Sequence, residues 1–546
     1  MAENSELERI QNILATGYQQ LRRKAGLQET DSNDSHFSQT PPGMKVESSV
    51  FTTTFPFSPN KLLRILVHDM DTWNPDFPQI VRKVSAEKPD SILQSIIKSS
   101  GGESSRSAAG FSDWSDIREV EATFQLPTLL VPVRQLKFYR CLRRLGKDAF
   151  AILDIGEQYL YEVNSDSAYL RRRPSGMIIE GNKTSSEVTW VEDTEIPEAI
   201  AGDNIFSTML DLNLAFCARR WVITLLERLN QGVMHVTYHP EFAMAMKIER
   251  DCESKATKRL TELTRRIKSE FFRTIGAPSE RRWVTLSNEE GVRVLRRKYS
   301  STELFDHKAV TSFRVPATPE SVFNLLVRYS VGFQYATFLY GTDHKKAIEA
   351  AWVNSNFSVS LESRNFPRNK RFFPKGFETT GRRFTPRGCP TEPYYLIQQN
   401  SKGEFCSSVI SHVMNKEQME TMFLKEETKK EDWNKQWKQW IIPPPDGFAI
   451  MPEGDGGLQC KASLVSFTVW SPFGRTEKAK AIETMRRIIN GIIKSITEYC
   501  GFKGSENEMP FGSLGSVLVL GDYSFGKNAF WMMLQTRSSE ETGGRD

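Results

Sequence analysis

One stretch, Tyr169 to Asn230, constrains the fold of this chain more than any other. It reads YLRRRPSGMIIE, then a polar Gly/Asn/Ser-rich connection, then SEVTWVEDTEI, and then IFSTMLDLNLAFCARRWVITLLERLN. The apolar period changes from two to 3.6 along it, which predicts two strands feeding a helix. Asp203 is a good N-cap and Gly232 a natural stop beyond the last turn. A single helix of about 26 residues between them would be roughly 39 Å long, enough to lie across a whole sheet. Its apolar residues fall in two stripes. Ile205, Met209, Leu212, Phe216, Ile223 and Leu226 make one, and Leu210, Leu214, Cys217, Trp221, Leu225 and Leu229 the other. A helix with two such stripes is buried on most sides. The expectation is an α+β unit in which a curved antiparallel sheet grips this helix, with the space between them as the site.

A strand upstream adds a chemical signal. In VRQLKFYRC, Arg134, Leu136, Phe138 and Arg140 share one face by period two. An apolar pair flanked by two arginines suits a pocket wall that meets a polar head group. It equally suits a half-exposed strand whose arginines snorkel at its ends. In VTWVE, Val188, Trp190 and Glu192 share a face, and Glu192 can neutralise one of those arginines if both point inward. Burying an arginine demands such a partner.

The chain of 546 residues is long enough for two to four domains. Its 72 basic and 67 acidic residues leave a net charge of +5, too small to argue for a polyanionic partner. No apolar run of 18 residues suggests a membrane span, and MAENSELERI has no apolar signal core, which reads as nuclear or cytoplasmic. The seven cysteines are scattered without a CxxC pair, as in a reducing compartment. His235 and His239 are four apart, but Val-Thr-Tyr between them favours strand and HExxH is missing, so they read as loop histidines rather than zinc ligands. Phosphate-loop, dinucleotide and nucleophile-elbow motifs are all missing. No cofactor is expected and nothing argues for an enzyme.

The chain also repeats itself. Phe51–Val67 (FTTTFPFSPNKLLRILV) aligns without a gap on Thr311–Val327 (TSFRVPATPESVFNLLV), bringing Pro56 and Pro59 onto Pro316 and Pro319. Pro174–Glu180 then matches Pro445–Met451, each followed by a strand and a long apolar helix. The second helix has a stripe of Ile482, Met485, Ile489, Ile492, Ile496 and Tyr499 and stops at Gly501. A period of this length means tandem domains. The organisation expected is an N-terminal helix and linker over 1–44, a first domain over 45–235, a second over 254–502, and an extension over 503–546. Within 1–44, Leu7, Leu14 and Leu21 have heptad spacing, which fits a zipper remnant or simply a first packed helix. The helix over 254–276 sets Leu260, Leu263, Ile267, Phe271 and Ile275 against a basic face read as solvated. Arg364–Arg387 interleaves basic residues with phenylalanines, a mixture found in ordinary loops and in single-strand nucleic-acid binders. Trp433, Trp437 and Trp440 have helical core spacing.

The motifs LLVPVRQLKFYRC, RRRPSGMIIE, SEVTWVED and FCARRWVITLLERL resemble the START lipid-binding domain of plant class IV homeodomain–leucine-zipper proteins. KATKRLTELTRRIKSEFF, GVRVLRRK, TSFRVPATPESVFNLL and PPPDGFAIMPEGDGG resemble the region that follows START in the same family. The resemblance covers roughly residues 45 to 500. It implies tandem helix-grip folds, an apolar tunnel for a lipid or sterol-like ligand, and a nuclear regulator that forms homo- or heterodimers with related transcription factors. The residues expected to contact lipid are Arg134, Leu136, Phe138, Arg140, Arg172, Trp190, Glu192 and Phe216. Two departures stand out. Nothing resembles a homeodomain recognition helix, so direct DNA binding by these residues is not expected. Arg173 also replaces the aliphatic residue usual in RRLPSG, which would alter the pocket's ligand preference or fill it. The alternative reading is a dimerisation scaffold with filled pockets.

Overall fold

The computed structural model describes residues 2–501 apart from short breaks and the longer stretches 28–36, 95–113, 162–169, 199–204, 239–252, 329–346, 365–393 and 416–444. His235, His239, most of the basic–aromatic segment, the three spaced tryptophans and the C-terminal extension lie outside the described residues. The chain forms two compact units, Met1–Leu126 with Leu130–Asn230, and Pro127–Leu129 with Gln231–Asp546.

In the first unit, helix α1 (Ala2–Lys24) precedes β1 (Met44–Phe55), α2 (Pro59–Leu63, continued by a π turn over Arg64–His68), α3 (Trp73–Asp76), β2 (Val81–Glu87), β3 (Trp114–Phe124), β4 (Arg134–Arg144), β5 (Ala149–Gly156), α4 (Glu157–Leu160), β6 (Arg171–Arg172), β7 (Ser175–Gly181) and β8 (Ser186–Pro197). Its sheet is antiparallel in the order β1-β8-β7-β5-β4-β3-β2, with β6 paired to β8. Period-two alternation gives the sheet two buried faces. On the outer one, Ile117, Tyr139, Cys141, Leu153, Ile155, Ile178 and Val191 cluster with Ile10, Ile13, Leu14, Tyr18 and Leu21 of α1. The heptad-spaced positions Leu14 and Leu21 are therefore spent on the unit's own sheet. Ile10, Ile13, Leu14, Tyr18 and Leu21 thus make α1 a packed helix of this unit.

The long helix expected over Asp203–Asn230 is in fact two, α5 (Ile205–Asp211) and α6 (Ala218–Gln231). Asn213 ends the first in the left-handed region at φ 52°, a conformation asparagine tolerates better than most residues. Two β1 side chains then set the start of the second. Glu47 accepts the Phe216 N–H and Ser49 accepts that of Ala218, both at 2.9 Å. Residues two apart on one strand face thus satisfy amide donors at a helix start. The all-round apolar character of the sequence divides accordingly. Phe206 and Phe216 are buried around the break, Trp221, Leu225 and Leu229 are buried along α6, and Ile223 and Leu226 are half-buried.

In the second unit, β9 (Thr237–Tyr238) and α7 (Glu253–Ile275) precede β10 (Val284–Glu289), β11 (Val292–Lys298), β12 (Phe305–Val315), α8 (Pro319–Arg328), β13 (Ala347–Asn354), β14 (Phe357–Arg364), β15 (Tyr394–Ser401), β16 (Ser407–Asn415), β17 (Asp446–Pro452), β18 (Ser463–Gly474) and α9 (Lys478–Gly501). The sheet order is β10-β11-β12-β18-β17-β16-β15-β14-β13-β9. From β12 to β13 it repeats the first sheet strand for strand, with extra strands at both edges. The register agrees with the sequence repeat, since Phe51 pairs with Trp190 in one sheet and Thr311 with Phe467 in the other. Gly176 (φ 132°) and Gly447 (φ 148°) occupy the matching position of β7 and β17. A Cβ there would run into the carbonyl oxygen of Ile152 or of Val409 on the neighbouring strand. The fold is the expected one, α+β with two helix-gripping sheets.

Candidate functional site

The inner face of the first sheet carries an aromatic cluster, an ion network and a cation, Arg134, with no carboxylate partner among the described residues. Trp221 of α6 stacks on Trp190 of β8 with centroids 5.6 Å apart and planes inclined by 17°. Phe77, Phe124 and Trp73 surround Trp221 at 5.2, 5.2 and 6.0 Å. The centre of the interior is filled with side chains.

Beside this cluster Arg140 is fully engaged. Its Nε and Nη2 donate to the two oxygens of Asp154, each at 2.6 Å, and its Nη1 to the Leu66 carbonyl at 2.8 Å. The guanidinium also lies over the Trp73 ring at 4.2 Å. That ring's own N–H is taken by the Ile65 carbonyl, next along the π turn. Arg172 comes in from β6, its Nη2 reaching Asp154 Oδ2 at 3.1 Å and Glu192 Oε1 at 2.9 Å, and Trp190 Nε1 donates to the same Glu192 oxygen at 2.8 Å. Burial opposes the Arg172 charge, but Glu192 and Asp154 outweigh it and hold its pKa above the ordinary value. Two cations and two carboxylates close on one another, the arrangement a buried ion network requires. Glu192 therefore pairs with Arg172 and not with Arg134 or Arg140. Arg140 takes Asp154 because the two lie opposite in the β4–β5 register.

Arg134, six residues earlier on the same face, is different. It is 5 % exposed, its Nε and Nη2 are buried without a hydrogen-bond partner, and among the described residues no carboxylate pairs with it. It lies over the Phe206 ring at 4.7 Å. Phe206 touches Phe216 at 6.4 Å, and Phe216 touches Phe124, the register partner of Arg134, at 6.0 Å. Burial alone pulls its pKa down to about 10, so it stays charged at neutral pH. Glu47, whose Oε1 holds the Phe216 amide, has its pKa pushed up to about 8 by burial, with Glu192 adding to the shift, and it is protonated at neutral pH.

All eight candidate residues are buried, seven of them on strands of this sheet and Phe216 on the turn between α5 and α6. Arg173 does not enter the interior. It pairs at 2.7 Å with Glu195, which also accepts from Tyr159 and alternates to the α1 side of β8 with Val191 and Asp193. Asp154, Glu47 and Phe206 were not foreseen. Asp154 in AILDIG and Glu47 in VESSVF are lone acids in strand-forming runs, and that is the available signal.

No protein-family model matches the chain. Its sequence relatives are plant homeobox-leucine zipper proteins. HDG7 of Arabidopsis thaliana is 27% identical over 218 residues, covering 38% of this chain and 30% of that protein. GLABRA 2 of Arabidopsis thaliana is 31% identical over 185 residues, 32% of this chain and 24% of that protein. ROC4 of Oryza sativa subsp. japonica is 26% identical over 250 residues, 43% and 28%. The chain is homologous to the class IV homeobox-leucine zipper proteins, and its match spans less than a third of their length. Among solved structures it is similar to human StAR-related lipid transfer protein 5 (9% identity, 40% of this chain, 98% of that one, TM-score 0.23). It is also similar to the di-domain ARO/CYC BexL (9% identity, 85% of this chain, 99% of that one, TM-score 0.19). Likenesses at this level carry nothing further. No helix among the described residues is long and apolar enough to cross a membrane.

Proposed function

We propose that the first unit is the START-type module of a homeobox-leucine-zipper-type regulator, and that it binds a lipid or sterol-like amphiphile without chemical turnover. In this reading the protein works in the nucleus as a homo- or heterodimer with related transcription factors, and sequence-specific DNA contact comes from the partner. The homology supports the regulatory context. Arg134 carries the binding reading. Arg140 and Arg172 are paired with Asp154 and Glu192, whereas among the described residues this guanidinium lies against phenylalanine with no carboxylate partner. A ligand with a polar head supplies what the folded chain does not. Native mass spectrometry of the full chain from a eukaryotic host tests this, the expected result being a co-purifying amphiphile. A bare chain that also binds nothing from a lipid panel overturns it.

A second reading has its own support. The stacked Trp190–Trp221 pair and its aromatic neighbours occupy the centre of the interior, as a filled scaffold would require. On that reading Arg134→Leu changes stability and leaves lipid binding untouched.

A further inference from the structure

Arg134 and Arg140, on the inner face of β4, use the same edge of the guanidinium differently. On Arg140 the Nε–Nη2 edge grips a carboxylate with two parallel 2.6 Å bonds. On Arg134 it is Nε and Nη2, the same pair, that are buried and unpartnered. Arg172 also keeps two N–H groups without acceptors, but two carboxylates compensate its charge. Among the described residues Arg134 has no carboxylate partner and an open Nε–Nη2 fork, and such a fork matches the two oxygens of a planar acid.

We infer that the ligand of the first unit is a single-chain lipid acid whose carboxylate docks side-on against Nε and Nη2 of Arg134, with its apolar chain among Phe206, Phe216 and Phe124. This rests on the amphiphile-binding reading above and narrows it from any lipid to an acidic one. Three features fit. The acid restores on Arg134 the pairing that Asp154 gives Arg140. The surroundings of the fork are aromatic and apolar, so the rest of the ligand must be apolar as well. The cover over Arg134 is Phe206 of α5, a helix of seven residues ended by the left-handed Asn213, where displacement costs less than opening α6.

The test uses the full chain stripped of lipid, with oleate, oleyl alcohol, lysophosphatidate and acetate titrated into wild type, Arg134→Met and Arg134→Lys. The expected result is oleate binding at least tenfold tighter than oleyl alcohol in wild type, with acetate not binding measurably. Arg134→Met should remove the preference while still binding the alcohol. Arg134→Lys, which keeps the charge but not the fork, should lose most of it. Equal affinity for oleate and oleyl alcohol in wild type overturns the inference and leaves amphiphile binding standing. Binding of neither overturns both. Lysophosphatidate binding tenfold tighter than oleate, with the same dependence on Arg134, overturns the carboxylate in favour of a phosphate. Acetate binding as tightly as oleate overturns the lipid. Circular dichroism and a melting temperature no lower than wild type show that Arg134→Met is folded.

Discussion

The two units share one frame and fill it differently. Strand order, the register of the paired strands and the strand-entry glycine are the same in both. Yet Arg140, Asp154 and Glu192 of the first sheet correspond by register to Gln398, Ser411 and Val469 of the second. Where the first unit sets ions and tryptophans beneath α6, the second packs Val409, Phe448, Ile450, Val465, Phe467 and Val469 against Met485, Ile489, Ile492 and Ile496 of α9. A hydrophobic face of this kind holds the fold by itself. The ion network is thus not demanded by the architecture. The second copy puts Gln398 and Ser411 where the first has Arg140 and Asp154, and among the described residues Arg134 of the first copy has no carboxylate partner.

The sharpest break in the comparison comes at Asp154. Asp154→Ala strands Arg140 and Arg172 in a buried site and should cost at least about 3–5 kcal/mol in denaturant unfolding. Ser411→Ala, at the matching place, should stay within about 1 kcal/mol. A small effect at Asp154 would mean that the network is not formed as described.

Where the frame is shared, the effects should be shared as well. Gly176→Ala and Gly447→Ala each force a side chain into a positive-φ position against a neighbouring carbonyl, and each should cost at least about 2 kcal/mol. A tolerated alanine at either position would break the equivalence. Arg134→Leu should act in the opposite direction, stabilising the ligand-free chain by about 1–3 kcal/mol because it removes a buried unpaired cation.

The mildest test concerns pH. Glu47 corresponds to His307, 260 residues on, and burial favours the neutral form of both. The Glu47 pKa, raised to about 8, means that its contribution to stability is complete below the unfolded value and is lost as pH rises through 8. The His307 pKa is lowered to about 4 by burial and then by Arg296, so its contribution is present above the unfolded value and is lost as pH falls toward 4. In melting temperatures recorded across pH, Glu47→Gln should flatten the limb that falls as pH rises toward 8, and His307→Gln the limb that falls as pH drops toward 4. A swapped or unchanged pair of limbs would contradict the assignment.

Much of the frame is legible in the sequence because it rests on local periodicity and repetition. The inward face of Arg134, Leu136, Phe138 and Arg140 follows from alternation, and the duplication from an ungapped match that the strand register reproduces. What stays hidden depends on contacts distant in the chain. Glu47 and Ser49 act on amides 169 residues away, so the break between α5 and α6 cannot be read from LDLNLAFCA itself. The partner of Arg140 is set by β4–β5 register, which no spacing announces, and the obvious acid, Glu192, goes to Arg172 instead. Arg173 shows the limit of reading a substitution alone, since the turn into β7 sends it to the α1 side, where Glu195 holds it.

If an acidic lipid sits at Arg134, it should bind the first unit and not the second. Photo-crosslinking of the full chain with a diazirine-bearing fatty acid, followed by peptide mapping, addresses both halves at once. Crosslinks should be confined to the β4 segment around 134–138 and the turn around 206–217, competed away by oleate and lost in Arg134→Met. Crosslinks spread equally over the inner face of the second sheet, or unchanged by Arg134→Met, would contradict it.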